Sequence, residues 1–251
     1  MKYKLISCDV LYREMCFAAA RSPHKVDVEF LPKGLHDIGC VGMQKRLQGV
    51  IDGVKTADYD AILLGYGLCN NGLHNLHATD IPLVIPRAHD CMTLFMGDRK
   101  RYLDFFNDNP GTYFETSGWL ERSELTGELK QNSIGHISGM DQSYDELVRK
   151  YGEDNAQYLW NSLCNTMRNY TQCTYIAMGV GPDAQFADLA RKEAEKRGWK
   201  FVIEQGNMRL IEGLVAGNWS AADYLVVPPG HRVVAVYDEA IIRCEPLEQD
   251  R

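Results

Sequence analysis

The stretch "YKLISCDVLYREMCFAAA" (residues 3–20), followed by "VDVEFLP" (residues 26–32), has the pattern of a strand, a helix and a second strand. The first eight residues are mostly apolar and end in a polar corner, whereas Leu11, Met15 and Ala18 stand at helical spacing. "VDVEFLP" alternates apolar and polar residues, as a half-buried strand does. "GMQKRLQGVIDGV" and "YDAILLGYG" continue the alternation, so this region predicts the order β-α-β-α-β.

The later part of the chain repeats the same rhythm. "TYIAMGVG", "WKFVIEQG" and "YLVVPPG" have the pattern of strands, and "MRLIEGLVAGN" that of a helix. "DAQFADLARKEAEKRG" predicts a helix that is capped by Asp183 and ended by Gly198. We therefore predict an α/β protein with two duplicated Rossmann-like β-α-β-α-β lobes of parallel strands. The predicted boundaries are 1–105 for the first lobe, 106–170 for an aromatic, loop-rich and helical insertion, and 171–251 for the second lobe.

Composition excludes several classes of protein. The chain has 251 residues, of which 45% are hydrophobic and 24% are charged, and its net charge of -7 comes without any basic run. This charge gives no electrostatic support for binding nucleic acid or an anionic membrane. The apolar run at the N-terminus is too short for a signal peptide, and glycines break the longest apolar stretch, residues 61–68. We predict a cytoplasmic protein, in which the 8 cysteines do not form a disulfide framework.

Cysteines stand where the strands of the first lobe end. Ligands of open parallel sheets bind beyond the carboxyl ends of the strands, where loops and helix N-termini converge. Cys8 and Cys69 follow two predicted strands, and Cys91 opens the helix after the next one. Three thiolates from these positions would hold zinc or an iron-sulfur cluster and leave one coordination position open. A helix N-terminus also predicts a lowered pKa for the Cys91 thiol.

The predicted catalytic group is Arg87, His89 and Asp90, which surround the same strand end. His89 is an alternative metal ligand or a proton-transfer group, and His-x-Cys is similar to the zinc centres of thiol methyltransferases. Arg87 follows a strand, where a guanidinium would bind an anion bidentately. Simpler roles remain open: Asp90 caps a helix, and each cysteine fills space. A metal-free thiol enzyme, with Cys91 as nucleophile and His89 nearby, is a further alternative.

Five further residues are candidates for binding a substrate. Asn70 and Asn71 follow the third predicted strand, where asparagine forms turns and also donates hydrogen bonds. Tyr113, Trp119 and Tyr170 belong to the predicted insertion and need a surface to pack against. Together with Arg87, they would line a cleft between the lobes. The alternative function is therefore a metal-free protein that binds a small molecule, such as a carboxylate, a corrinoid or a folate-like ligand, in that cleft.

Motifs along nearly the whole chain resemble the DUF1638 family. They are "ISCDVLYRE", "LLGYGLCNNGL", "PLVIPRAHDCMTLFMG", "PGTYFETSGW", "KYGEDNAQYL", "NYTQCTYI" and "VVPPG". The resemblance marks Cys8, Cys69, His89, Asp90 and Cys91 as motif positions. It also implies an anaerobic setting beside corrinoid-dependent methyltransferase systems. The resemblance therefore implies a metal-centred enzyme or accessory protein of one-carbon metabolism, with a small-molecule substrate and a corrinoid protein or methyltransferase as partner.

Overall fold

A computed structural model describes residues 1–122 and 127–247 and shows a mixed α/β protein. The strands are β1 (Lys2–Cys8), β2 (Lys25–Leu31), β3 (Ala61–Gly65), β4 (Leu83–Pro86), β5 (Thr112–Glu115), β6 (Gln172–Ala177), β7 (Lys200–Gln205), β8 (Tyr224–Val227), β9 (His231–Ala235) and β10 (Ile242–Pro246). The helices are α1 (Tyr12–Arg21), α2 (Gly39–Asp52), α3 (Cys91–Met96), α4 (Arg99–Asp108), α5 (Ser117–Glu121), α6 (Gly127–Gln131), α7 (Ile134–Ser138), α8 (Tyr144–Tyr151), α9 (Glu153–Leu159), α10 (Asp183–Arg197) and α11 (Arg209–Val215).

The larger sheet has five strands in the order β2-β1-β3-β4-β8. β1 pairs in parallel with β2 and β3, and β3 pairs in parallel with β4. The register places Cys8 beside Leu31 and Ser7 beside Gly65, so these strands end at one edge. β3 and β4 are buried along their full length, as expected for strands covered on both faces. The loops that carry Cys8, Cys69 and Cys91 therefore leave the sheet on the same side.

A second, three-stranded sheet is parallel throughout and has the order β5-β6-β7. Helix α10 packs on it through Phe186, Ala187, Ala190 and Ala194, whose spacing gives one apolar face. Gly198 ends this helix in the left-handed conformation, as predicted. Asp183 is its first residue rather than its cap.

The last strand of the predicted second lobe has a different partner from the one expected. The segment "YLVV" forms β8, which pairs antiparallel with β4 and so completes the first sheet. The second sheet takes its third strand from β5, which belongs to the predicted insertion. Two duplicated lobes are thus not confirmed, although most of the pairing is parallel as predicted. The physical reason is that the pattern of a short apolar strand defines its buried faces but not its partner.

The main apolar core belongs to the five-stranded sheet and its covering helices, with α1 packed beside α11. A smaller core fills the space between α10 and the second sheet. The chain closes with the antiparallel hairpin β9-β10. Within residues 1–122 and 127–247, no helix has the length and apolar character needed to cross a membrane.

Candidate functional site

The loops after β3 and β4 touch each other at the carboxyl edge of the first sheet. The backbone N–H of Cys69 donates to the carbonyl of His89 at 2.9 Å. A Cβ atom added to Gly67 would lie 2.7 Å from backbone atoms of Asp90, which is closer than real side chains allow. The glycine of "GYGLC" is therefore required for the close approach of two main chains, not for binding phosphate.

Three consecutive residues of the loop after β3 have a left-handed backbone conformation. The φ angles of Cys69, Asn70 and Asn71 are 42°, 56° and 62°. Asparagine tolerates this region, whereas a cysteine there costs on the order of 1 kcal/mol. The turn buries the Cys69 thiol and leaves both asparagine side chains exposed. The geometry thus gives Asn70 and Asn71 the turn-forming role that their residue type also predicts.

The three predicted cysteine ligands lie in one buried region. Burial raises the pKa of Cys8 to about 12 and the pKa of Cys69 and Cys91 well above the ordinary value of a thiol. Negative charge on Cys8 would raise the pKa of Cys69 further, and charge on Cys69 and Cys8 would raise that of Cys91. The prediction of a lowered pKa at Cys91 is wrong, because burial outweighs the N-terminus of a six-residue helix.

The three sulfurs are not arranged as the ligands of a metal site in the described structure. Across the two described ranges, no three side chains of His, Cys, Asp or Glu are placed so that they could hold a metal ion. Three thiols form a suitable donor set for zinc or an iron-sulfur cluster, but thiolates must replace thiols and converge on one point. Cys8, Cys69 and Cys91 are thus neighbours in a thiol cluster.

Two polar groups beside the thiol cluster are buried and make no standard hydrogen bond with any residue that the structure describes. The Tyr66 hydroxyl is one, and its pKa is raised by burial and by the nearby Cys8 and Cys69. The indole N–H of Trp119 is the other. It lies next to the Cys91 thiol, where it lowers the thiol pKa against the larger effect of burial. The Trp119 indole N–H thus has at most a weak acceptor in the Cys91 sulfur, whereas the Tyr66 hydroxyl has none in the described part of the chain, which costs about 1–3 kcal/mol.

Asp90 acts as a helix cap, and His89 points away. One carboxylate oxygen of Asp90 accepts from the backbone N–H of Met92 at 3.0 Å and of Thr93 at 3.2 Å. The other oxygen accepts from the Tyr102 hydroxyl at 2.7 Å. His89 is exposed. Of these two residues of the predicted catalytic group, Asp90 is therefore fixed by hydrogen bonds beside the thiol cluster, while His89 is exposed to solvent.

Arg87 joins distant parts of the chain. Its guanidinium donates to the carbonyl of Ala221 at 2.9 Å and to that of Ala240 at 2.9 Å, and also to the carbonyl of Ile242. These acceptors belong to the segment before β8 and to the hairpin β9-β10. Main-chain oxygens thus accept from Nε and Nη1 of Arg87, which gives the side chain a structural role, and its recognition of an anion stays a prediction.

Tyr113, Trp119 and Tyr170, three of the predicted substrate-binding residues, line cavities between the two sheets. One cavity of about 300 Å³ contains all three residues and Asp90. A second cavity of about 400 Å³ shares Tyr113 and Trp119 with the first. We refer to the two together as the aromatic cleft. Its size lies in the lower range of pockets that hold small molecules.

The larger cavity also contains four charged residues that the sequence analysis did not identify. Lys33 follows β2, Glu115 ends β5, and Glu193 and Arg197 lie on α10. Burial raises the pKa of Glu115 to about 7, Lys33 and Arg197 lower it, and Glu193 raises it. Lys33 stands after a strand in "LPKG", which was a signal available from the sequence. Glu115 had none, because its strand was assigned to a loop-rich insertion.

Two tryptophans hold the cations of this cavity. The Lys33 ammonium lies 4.1 Å from the centre of the Trp119 ring, and the Arg197 guanidinium lies 5.2 Å from that of Trp199. Tyr113 packs edge-on against Tyr170 with ring centres 5.3 Å apart. Cation–π contacts restrict the conformations of long, flexible side chains. The attraction between the cation and the ring offsets the side-chain entropy that is lost. The cavity therefore offers preorganised positive charge beside flat apolar walls.

The comparisons with known proteins give a family. No match was found among the curated proteins, and none among the solved structures. The family described as "Protein of unknown function (DUF1638)" matches residues 30–215, which is well over half of the chain. The matched range includes the thiol-cluster positions Cys69 and Cys91 and all the residues of the aromatic cleft. The chain therefore belongs to the DUF1638 family.

Proposed function

We propose that this protein binds a small, flat, anionic molecule in the aromatic cleft. The observation that carries the proposal is the placement of Lys33 over the Trp119 ring in a cavity of about 400 Å³. A preformed cavity with aromatic walls and a few converging charges is the usual form of a small-molecule site. Lys33 supplies the positive charge and Trp119 the flat surface.

The position of the cleft supports this proposal. Loops after the parallel strands of the first sheet form one side, through Lys33 and Asp90. The second sheet and α10 form the other side, through Tyr113 and Ala190. Carboxyl ends of parallel strands are the common binding edge of α/β proteins.

Binding of 3-indolepropionate, a flat carboxylate, measured by isothermal titration calorimetry tests the proposal. We expect one molecule per chain, with about tenfold weaker binding in Trp119→Leu and in Lys33→Met, since a stacked ring or a paired charge contributes roughly 1–2 kcal/mol. Trp219→Leu is the matched control, because Trp219 packs against Tyr3 away from the cleft. Absence of binding, or equal weakening by all three substitutions, would refute the proposal.

A metal centre at the thiol cluster is the second candidate function. It is favoured by the convergence of Cys8, Cys69 and Cys91 from three separate strand ends into one buried region. In this candidate the protein is an enzyme or accessory protein of anaerobic one-carbon metabolism, as the family resemblance implies, with a corrinoid protein or methyltransferase as partner. Zinc or an iron-sulfur cluster would need the three sulfurs to move together.

Metal analysis of anaerobically purified protein separates the two candidates. The second candidate predicts about one equivalent of zinc, or iron with acid-labile sulfide, in the wild type and its loss in Cys91→Ser. Cys164→Ser is the matched control, because Cys164 lies outside the thiol cluster. A fully folded wild-type protein without metal would remove this candidate and leave the binding function untouched.

A further inference from the structure

The charged groups of the larger cavity divide into a pair at its rim and two groups within it. Glu193 and Arg197 are exposed and form an ion pair at 2.8 Å along α10. Lys33 and Glu115 are half-buried and belong to no ion pair among the residues that the structure describes. The cavity thus presents one cation and one carboxyl group whose charges are not matched by a protein partner in direct contact.

Contacts with Asp9 and Trp119 position Lys33 to bind a negatively charged group. Its backbone N–H donates to the Asp9 carboxylate at 2.8 Å, which fixes the start of the turn after β2. Its ammonium rests over the Trp119 ring. An ammonium on an aromatic face keeps the N–H donors that point away from the ring available to a carboxylate.

Glu115 carries the opposite kind of charge to Lys33, and burial keeps its carboxyl group partly in the neutral form. Its pKa of about 7 results from burial first, with Lys33 and Arg197 lowering it and Glu193 raising it. It ends β5, so the sheet positions it rigidly next to the Tyr113 ring. A ligand ammonium placed there would give the carboxylate the charge-assisted hydrogen bonds that water no longer supplies.

We infer that the ligand of the aromatic cleft is a zwitterion of amino-acid type, with its ammonium on Glu115, its carboxylate on Lys33 and its flat side chain among the aromatic rings. The inference rests on the proposed function. It narrows the ligand from any flat molecule with a carboxylate to one that also carries an ammonium group beside that carboxylate. A cavity of about 400 Å³ has room for one molecule the size of an aromatic amino acid.

Three matched probes test the inference by calorimetry at pH 8: L-tryptophan, 3-indolepropionate without the amino group, and tryptamine without the carboxylate. We expect each single-charge probe to bind at least about tenfold more weakly than L-tryptophan, as for loss of one charge-assisted contact. In Glu115→Gln, L-tryptophan and 3-indolepropionate should bind with affinities within about threefold of each other. In Lys33→Met, L-tryptophan and tryptamine should do the same.

Glu195→Gln is the matched control, because it removes a carboxylate of the same helix α10 that is exposed and does not line the cavity. This variant should retain the full preference for L-tryptophan over 3-indolepropionate. If 3-indolepropionate binds the wild type as tightly as L-tryptophan, the inference fails while the proposed function stands. If none of the three probes binds, both fail. Circular dichroism of each variant establishes that the fold is intact.

Discussion

Replacing Glu14 with glutamine should flatten the dependence of stability on pH. Glu14 lies in the first turn of α1, is only 1% exposed, and has no hydrogen-bond partner for either carboxylate oxygen within the described chain. Burial raises its pKa from 4.5 to about 7. Asp183 and Glu121 raise it further, whereas its own backbone N–H and Arg13 lower it. The ionised form is thus disfavoured in the folded protein.

The sign and size of this change in the free energy of unfolding follow from the linkage between protonation and folding. Because the folded pKa lies above the unfolded one, Glu14 imposes no penalty below pH 4.5 and its full penalty above about pH 7. Each pH unit is worth about 1.4 kcal/mol, so the penalty approaches about 3 kcal/mol. Between pH 4.5 and pH 8.5, Glu14→Gln should remove about that much of the decline in the free energy of unfolding. The glutamine amide is also buried, so the comparison concerns the change with pH and not the absolute stability.

Urea unfolding, followed by circular dichroism at half-unit steps from pH 4.5 to 8.5, measures this change. Glu195→Gln on the exposed face of α10 is the control and should leave the curve unaltered. Parallel curves for the wild type and Glu14→Gln would show that the carboxyl group is solvated in solution, and the reasoning would be wrong.

Three other substitutions or treatments follow from particular contacts. Gly118→Ala should lower the free energy of unfolding by several kcal/mol, because the added Cβ would lie 1.7 Å from the Val10 carbonyl oxygen. Urea unfolding measures this loss. Gly135→Ala is the control, because its Cβ would meet open space. Arg87→Leu should destabilise by about 1–3 kcal/mol and increase hydrogen exchange in the hairpin β9-β10, since it leaves two partly buried carbonyls of the hairpin without their donor. Iodoacetamide should alkylate Cys91 far more slowly than exposed thiols at pH 7.5, because its pKa is raised by burial; stoichiometric labelling within minutes, detected by peptide mass spectrometry, would contradict the buried thiol cluster.

The sequence predicted the elements of the fold better than their assembly. Helical spacing and a terminal glycine correctly identified α10, because both are local properties. The partner of β8 was missed, because pairing depends on contacts more than a hundred residues apart, from Val84 to Val226. The main-chain contacts of Arg87 were missed for the same reason, since its acceptor Ala221 is 134 positions away. The local sequence pattern carries no information about contacts between residues so far apart in the chain.

The candidate site shows the same division between local and distant information. Strand ends correctly indicated which edge of the sheet gathers the cysteines, since parallel strands end together. The protonation of the thiols was mispredicted, because a helix N-terminus is visible in sequence whereas burial is produced by the whole core. Glu115 escaped notice because its strand pairs with β6, some sixty residues later. Its chemistry arises only when that pairing carries it into the cleft.

Trp119 connects the thiol cluster to the aromatic cleft. Its ring carries the Lys33 ammonium and its indole N–H lies beside the Cys91 thiol. The preceding Gly118 touches the Val10 carbonyl so closely that the main chain at this point has little room to shift. A ligand that reorients the Trp119 ring must therefore change the surroundings of Cys91 as well. The two candidate functions thus share one side chain, and a ligand in the cleft would alter the electrostatics of the thiols without touching them.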